Sequence, residues 1–323
     1  MTKVNHRDFM EPLVSVVIPT YRRPQLVKRA VNSALAQTLS EIEVIVVIDG
    51  SHPETRAVLA EINDHRLKII ELPTNQGSCV ARNAGVDAAF AVWVAFLDDD
   101  DEWIPQKLEL QLITAKASSF KYPIVSSYVN ACTLREDEIW PRRQPKKLEH
   151  ISEYLFVRNT IFQGEGLIQT STIFTKKELL KIFPFNIFIK KHHDWDWLLK
   201  VTVKEDVEID FVPQVLSIWH LEETHKSLSR SGSWEFSFKW IQSNRNLVTP
   251  RAYSSFILGE VSSRAAAAGD WKAFLPLLRE AFRFGKPRPM DVCLCLGMWV
   301  FPTNIRRKLR SLFYLRKRLH EAS

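Results

Sequence analysis

With 323 residues, 46% hydrophobic and 11% aromatic, the chain has room for one large domain and an appendage, and it is not a disordered protein. Its four cysteines (Cys79, Cys132, Cys293, Cys295) contain no CxxC pair, which argues against a disulfide scaffold or structural zinc and for a reducing compartment. The formal charge of +7 is uneven: Arg306, Arg307, Lys308, Arg310, Arg316, Lys317 and Arg318 crowd the C-terminus, whereas acidic residues cluster at 98–102. A basic tail facing an anion and an acidic site facing a cation are the expectation.

The opening MTKVNHRDFMEP lacks the apolar stretch of a signal peptide. The longest apolar segment, Val292 to Phe301, is shorter than the roughly 20 residues that span a bilayer. A cytoplasmic protein, at most peripheral at the inner face of the plasma membrane, is expected.

In chain order, Leu13 to Ile18 is a β-branched run closed by Pro19, and Pro24 to Gln37 carries apolar residues at helical spacing (Leu26, Val27, Ala30, Val31, Ala34, Leu35). Ile42 to Ile48 predicts a second strand and Glu54 to Ile62 a second helix; Leu67 to Glu71, Ser78 to Ala89 and Val92 to Leu97 continue the alternation. Nearly continuous apolar strands alternating with helices predict an α/β fold with a parallel sheet covered on both faces. Ligands of such sheets bind beyond the carboxyl ends of the strands, where the loops at Pro19, Asp49 and Asp98 lie. Further on, Lys107 to Lys116 reads as helix, Pro123 to Leu134 as strand, and Lys146 to Asn159 as a polar linker entering a helix. From Ser233 the pattern is helical, with amphipathic stretches at Trp271 to Phe284 and Ile305 to Leu319. The expected division is a catalytic domain over 1–230 and a helical region over 231–323.

Asp98-Asp99-Asp100-Asp101 is the sharpest chemical signal. Four adjacent carboxylates repel one another unless protons or a cation relieve them. In an extended segment Asp98 and Asp100 share a face and can hold one Mg²⁺ or Mn²⁺, with substrate phosphates completing the shell; a solvated acidic turn is the plainer reading. The second signal is His192-His193-Asp194-Trp195-Asp196-Trp197. A carboxylate held against tryptophan is partly desolvated, which lifts its pKa toward that of a general base, and Asp194 is the candidate. Capping of the helix that follows is the alternative role for Asp194. A zinc site from His192, His193 and Asp194 is disfavoured because adjacent histidines point apart on a helix.

Asn75, Gly77, Arg82 and Asn83 surround a helix start that can meet phosphate. His220 and His225 flank a polar loop from which either can reach a metal or a diphosphate. Cys79 reads as core. The ten glycines never form GxGxxG, against a dehydrogenase, and the basic tail has no aromatic-lined or helix-turn-helix context, against nucleic-acid binding.

Taken in order, VVIPTYR at 16–22, IDGS at 48–51, NQG at 75–77 with ARNAG at 81–85, LDDDDEW at 97–103 and HDWD at 193–196 resemble family 2 glycosyltransferases, over residues 12 to 230. The resemblance implies a GT-A fold with a helical C-terminal extension, a nucleotide-diphosphate sugar donor and an inverting transfer to a glycan or lipid-linked acceptor, as in bacterial surface polysaccharide synthesis. It also implies a divalent cation: Asp98 and Asp100 match the outer aspartates of the metal-binding motif. From its polar loop, His220 is the further candidate metal ligand. Pro19, Tyr21, Asp49, Arg82, Asp98 and Asp99 map onto the donor site, and Asp194 onto the catalytic base. Gln163 to Thr172 and the loops near His220 are expected to choose the acceptor. Two positions depart from the family pattern: Ile48 stands where an acidic residue often contacts the nucleobase, and His193 where glutamate often precedes the catalytic base. A basic amphipathic C-terminal helix suits an anionic membrane surface equally as it suits a helical cap. A non-catalytic scaffold and a nucleotidyltransferase on the same core are the competing readings.

Overall fold

A computed structural model describes residues 11–132, 137–147, 149–160, 164–221 and 233–301. The chain divides into two compact units, the first formed by residues 1–145 and 167–225, the second by 146–166 and 226–323. The second unit therefore includes a segment, 146–166, that precedes the boundary expected at 230.

The first unit begins with the anticipated alternation: β1 (Val14–Thr20), α1 (Pro24–Leu35), β2 (Ile42–Ile48), α2 (Pro53–Ala60), β3 (Leu67–Glu71), α3 (Ser78–Ala88) and β4 (Trp93–Phe96). β1 pairs in parallel with β2 and β4, and β2 with β3. Both β1 and β2 are buried along their whole length, as runs of Val and Ile covered on both faces must be. β1 runs through Pro19 instead of stopping before it, since the β4 register ends at Val17↔Phe96 and no donor is needed on that flank of Pro19.

After β4 come β5 (Asp101–Trp103), α4 (Lys107–Ala117), β6 (Tyr122–Cys132) and β7 (Asp137–Trp140). In the first unit these are followed by a 3₁₀ turn (Thr170–Thr172), β8 (Phe174–Lys176), α6 (Lys177–Ile182), α7 (His193–Val201) and β9 (Val207–His220); α5 (Ile151–Phe156) belongs to the second unit. Among the described residues the strands form one sheet in the order β3-β2-β1-β4-β8-β6-β9-β5, with β7 on β6. β8 is antiparallel to β4 and β6, so the parallel half ends at β4 and a mixed half begins there.

Two close approaches aim α3. Gly85 faces β1, where a Cβ would meet Val17 Cγ1 at 2.4 Å. Asn83 on the same helix exchanges two hydrogen bonds with the backbone of Phe185: its Nδ2 donates to the Phe185 carbonyl (2.9 Å) and its Oδ1 accepts the Phe185 amide (3.0 Å). Phe185 stacks on Trp197 of α7 and meets Phe96 of β4 edge-on. Strand β4 and helices α3 and α7 thus share one aromatic joint.

The second unit holds α5, α8 (Trp234–Ser243), α9 (Pro250–Phe256), a π-helical segment (Ile257–Val261), α10 (Ser262–Ala267), α11 (Phe274–Phe284) and α12 (Pro289–Val300). Phe156, Trp240 and Phe256 pack against one another in its core. No helix of the described residues is long and apolar enough to cross a membrane. The amphipathic stretch Ile305 to Leu319 lies outside the described residues.

Because Val17 is β-branched and cannot swing aside, Gly85→Ala is expected to cost about 1–3 kcal/mol of stability in chemical denaturation.

Candidate active site

The turn after β4 carries the aspartates. Asp101 N–H donates to the Asp98 carbonyl (3.1 Å), so the four residues form a turn and not the extended segment expected; the turn, not strand alternation, brings Asp98 and Asp100 together. Each carboxylate has its own partners. Asp98 Oδ1 takes Arg82 Nη2 at 2.6 Å. Asp99 Oδ2 accepts Thr20 Oγ1 (2.7 Å), and its Oδ1 accepts Arg23 Nη1 (3.0 Å). The same Arg23 nitrogen reaches Asp100 Oδ2 at 2.9 Å, and Arg29 Nη2 donates to the Asp100 carbonyl at 2.7 Å. Asp101 points into the protein, where Gln169 Nε2 (2.5 Å) and Ser171 Oγ (2.6 Å) both donate to its Oδ2.

These environments separate the four groups. The side chains of Asp98 and Asp100 are 26% and 31% exposed, whereas Asp99 and Asp101 are buried. Burial pushes Asp99 up to about 7 against the pull of Arg23. Burial, with the charges of Asp100 and Asp98, lifts Asp101 well above the usual carboxylate range. Asp100 is also raised, first by desolvation and then by Asp98.

Asp49 ends the buried β2 and is itself buried. Its two oxygens accept the amides of Gln76 (2.7 Å) and Gly77 (2.8 Å), which fixes the loop entering α3. Those amides, expected to be open to phosphate, are committed to Asp49. Gly50 sits at φ +94°, and a Cβ there would meet Asn75 N at 2.8 Å, so this turn requires glycine. Ile48 is fully buried in the core, where an acidic side chain could not replace it without losing its water. Pro19 is buried at the end of β1, and Tyr21 beyond it is 41% exposed with the Arg22 guanidinium over its ring.

Arg82 is buried over the Phe185 ring and has Asp98 at Nη2, while Nε and Nη1 have no hydrogen-bond partner among the described residues. Its charge also acts on Asp194, which lies in the first turn of α7. Burial raises Asp194 to about 6, with Arg82 pulling it down and Asp98 pushing it up. Asp194 Oδ1 accepts the Trp195 amide at 3.1 Å. The N-cap of α7 is His192, not Asp194, and it adopts a left-handed conformation (φ 64°) with its ring stacked on Trp195. Desolvation and Arg82 push His193 down to about 4, so it is neutral near pH 7. Asp196 is held by Lys200 at 2.7 Å.

His220 is the last residue of β9 and not part of a loop, because β9 pairs with β6 as far as Cys132↔His220. Its Nε2 lies 2.8 Å from Glu102 Oε1. His225 and Gln163 lie outside the described residues. Among the described residues no three His, Cys, Asp or Glu side chains converge as a ready metal cluster, so Asp98, Asp100 and His220 do not form one. Asp98 and Asp100 do fit a hard cation as a pair: each commits one oxygen to an arginine, each is partly exposed, and they repel one another.

The family model for glycosyl transferase family 2 matches residues 15–181, just over half of the chain. The chain belongs to glycosyl transferase family 2. Among its relatives is WcaA of Escherichia coli K12, a colanic acid biosynthesis glycosyl transferase by name, 28% identical over 277 residues that cover 83% of this chain and 93% of WcaA. WfgD of Escherichia coli, named as a UDP-Glc:alpha-D-GlcNAc-diphosphoundecaprenol beta-1,3-glucosyltransferase, is 36% identical over 58% of this chain and 68% of its own length. Residues 1–349 of S. aureus TarS, solved in complex with UDP-GlcNAc, share the fold with a TM-score of 0.53 at 18% identity, covering 88% of this chain and 79% of that one. The fold of this glycosyltransferase is the GT-A type that the sequence motifs imply.

Within this family member, the residues read from the sequence gather at one sheet edge: Asp98, Asp99 and Asp100 with Arg82, and Asp194 within electrostatic reach of Asp98 and Arg82. Arg23, Gln169 and Ser171 were not anticipated there. An arginine pair (Arg22-Arg23) just after the first strand is a signal for Arg23; Gln169 and Ser171 fall in the Gln163 to Thr172 segment expected to choose the acceptor, yet they face the aspartate turn.

Proposed function

We propose that this glycosyltransferase inverts: it moves a sugar from a nucleotide-diphosphate sugar to a hydroxyl of a glycan or lipid-linked acceptor, with a divalent cation, in the synthesis of a bacterial surface polysaccharide. One observation carries the reading. Asp194 is half-buried and desolvated to a pKa of about 6, within electrostatic reach of Asp98 and Arg82 at the carboxyl edge of the sheet. The names of WcaA and WfgD support the polysaccharide role, and WfgD supports a uridine-diphosphate donor and a lipid-linked acceptor.

In this reading Pro19, Tyr21, Asp49 and Asp99 shape the nucleoside edge, Asp49 through the 75–77 loop it ties down and Asp99 through Arg23. Asp98 and Asp100 are the residues that would hold Mg²⁺ or Mn²⁺. When bound, such an ion neutralises the charge that develops on the leaving diphosphate. Nε and Nη1 of Arg82, without a hydrogen-bond partner among the described residues, are suited to phosphate oxygens as well. Asp194 takes the proton of the acceptor hydroxyl as its oxygen attacks the anomeric carbon; the bond from that carbon to phosphate oxygen breaks, and its electron pair leaves with the diphosphate. Attack opposite the leaving group in one displacement inverts the centre. A nucleotidyltransferase would give Asp194 no work, and a scaffold would have no use for a base kept at about 6.

A companion surface lies in the second unit. α12 exposes Met290, Cys293, Leu296 and Val300 at helical spacing, and Phe301 follows. The basic residues from Arg306 to Arg318, outside the described residues, come directly after. Apolar side chains next to a cationic tail suit an anionic lipid surface.

For a base that works deprotonated, kcat/KM is expected to be level above pH 6 and to fall as pH drops through the Asp194 pKa. Asp194→Asn should lower kcat by about a thousandfold while nucleoside-diphosphate affinity stays within about threefold in calorimetry; full activity in that variant sinks the reading. In flotation assays, the protein should bind phosphatidylglycerol vesicles but not phosphatidylcholine vesicles, and Leu296→Glu/Val300→Glu should weaken that binding by about tenfold or more.

A further inference from the structure

We infer that Gln169 and Ser171 are positioning residues that clamp the Asp98–Asp101 turn in its donor-binding shape. The inference rests on the reading of Asp98 and Asp100 given above and adds the device that aims them. Both residues are buried, at 6% and 0% exposure, and neither is offered to substrate.

The clamp grips the turn at both ends. At its start, the Asp98 amide donates to Ser171 Oγ at 3.0 Å. At its end, the same hydroxyl donates to Asp101 Oδ2 at 2.6 Å, alongside Gln169 Nε2 at 2.5 Å. One hydroxyl has one proton to give and lone pairs to receive, so Ser171 can satisfy both ends at once only in this orientation. Just beyond the turn, Trp103 Nε1 donates to the Ser171 carbonyl at 2.8 Å. Asp98, Asp99 and Asp100 are left to face Arg82, Thr20 and Arg23.

The clamp is itself anchored from behind. Gln169 Oε1 accepts the Ser171 amide (3.2 Å), and Thr172 Oγ1 donates to the Gln169 carbonyl (2.7 Å), which closes the 3₁₀ turn on itself. Gln111 of α4 donates through Nε2 to the Thr172 carbonyl (2.8 Å) and to the Val125 carbonyl of β6 (3.0 Å). Gln111 is oriented in turn by the fully buried Lys107, whose Nζ donates to its Oε1 at 2.5 Å. The aspartates therefore rest on a buried polar chain running back into the sheet, in which removal of one member leaves its buried neighbour without that partner.

The test separates aiming from folding. Ser171→Ala removes the shared hydroxyl; Gln169→Glu replaces the donor to Asp101 with a repelling oxygen. Asp101→Asn/Gln169→Glu restores the contact with its polarity reversed, the new amide donating to the new carboxylate. Calorimetry with UDP, GDP, dTDP and CDP, with and without Mn²⁺, is run on these variants, the wild type and Asp98→Ala/Asp100→Ala. Ser171→Ala and Gln169→Glu should each weaken Mn²⁺-dependent nucleotide binding by about tenfold and leave cation-free binding within about twofold; the reversed pair should recover to within about threefold of wild type. Amide exchange of the peptide containing Asp98 should quicken in Ser171→Ala ahead of the rest of the chain. Loss of Mn²⁺ dependence in Asp98→Ala/Asp100→Ala with no change in Ser171→Ala and Gln169→Glu overturns the clamp, as does an equal loss with and without cation. Unchanged binding in every variant, or no binding of any nucleotide to the wild type, overturns the reading of the aspartates and the clamp with it.

Discussion

Four consecutive carboxylates at the end of a buried strand are a charge that folding must accommodate before any chemistry begins. The protein meets this with a separate partner for each, drawn from distant parts of the chain: Arg82 on α3 for Asp98, Thr20 and Arg23 at the β1–α1 junction for Asp99, Arg23 again for Asp100, and the 169–171 turn for Asp101. Close apposition of α3 to β1 at Gly85, and the Asn83–Phe185 exchange that ties α3 to the segment before α7, fix the helix that carries Arg82.

The result is a division of labour set by solvent. Asp98 and Asp100 keep partial exposure and repel one another, which suits them to an added cation. Asp194, half-buried in the first turn of α7, is partly desolvated and rises to about 6 even with Arg82 nearby. Carboxylates in unlike surroundings, a partly exposed pair bound to arginines and a desolvated one in the first turn of α7, are how one site supports both charge stabilisation and proton transfer. Neutral His193, at the position where the family often has glutamate, keeps another negative charge away from Asp194.

The first half of the sheet was legible because its pattern is local: nearly continuous apolar runs ending at Pro19, Asp49 and Asp98 locate β1, β2 and β4 and the edge where ligands bind. The mixed half was not. β9 is interrupted by Pro213, near which the β6 register shifts, and its alternation is too irregular to read; that is why His220 was expected in a loop. β8 is three residues long and takes its identity from antiparallel pairing with β4. Asp98, Arg82 and Asp194 stood out because charge beside apolar sequence is conspicuous. Gln169 and Ser171 are ordinary polar residues whose importance comes only from what the fold places against them, and Arg23 lay hidden beside Arg22 for the same reason.

The most direct test of the account is a carbon-13 NMR titration of the aspartate carboxyls in the cation-free protein, with Asp194→Asn assigning the resonance. Asp194 is predicted to titrate near pH 6. A midpoint near its ordinary value of about 4 would mean that the site does not prepare a base there, and the proposed displacement would lose its proton acceptor.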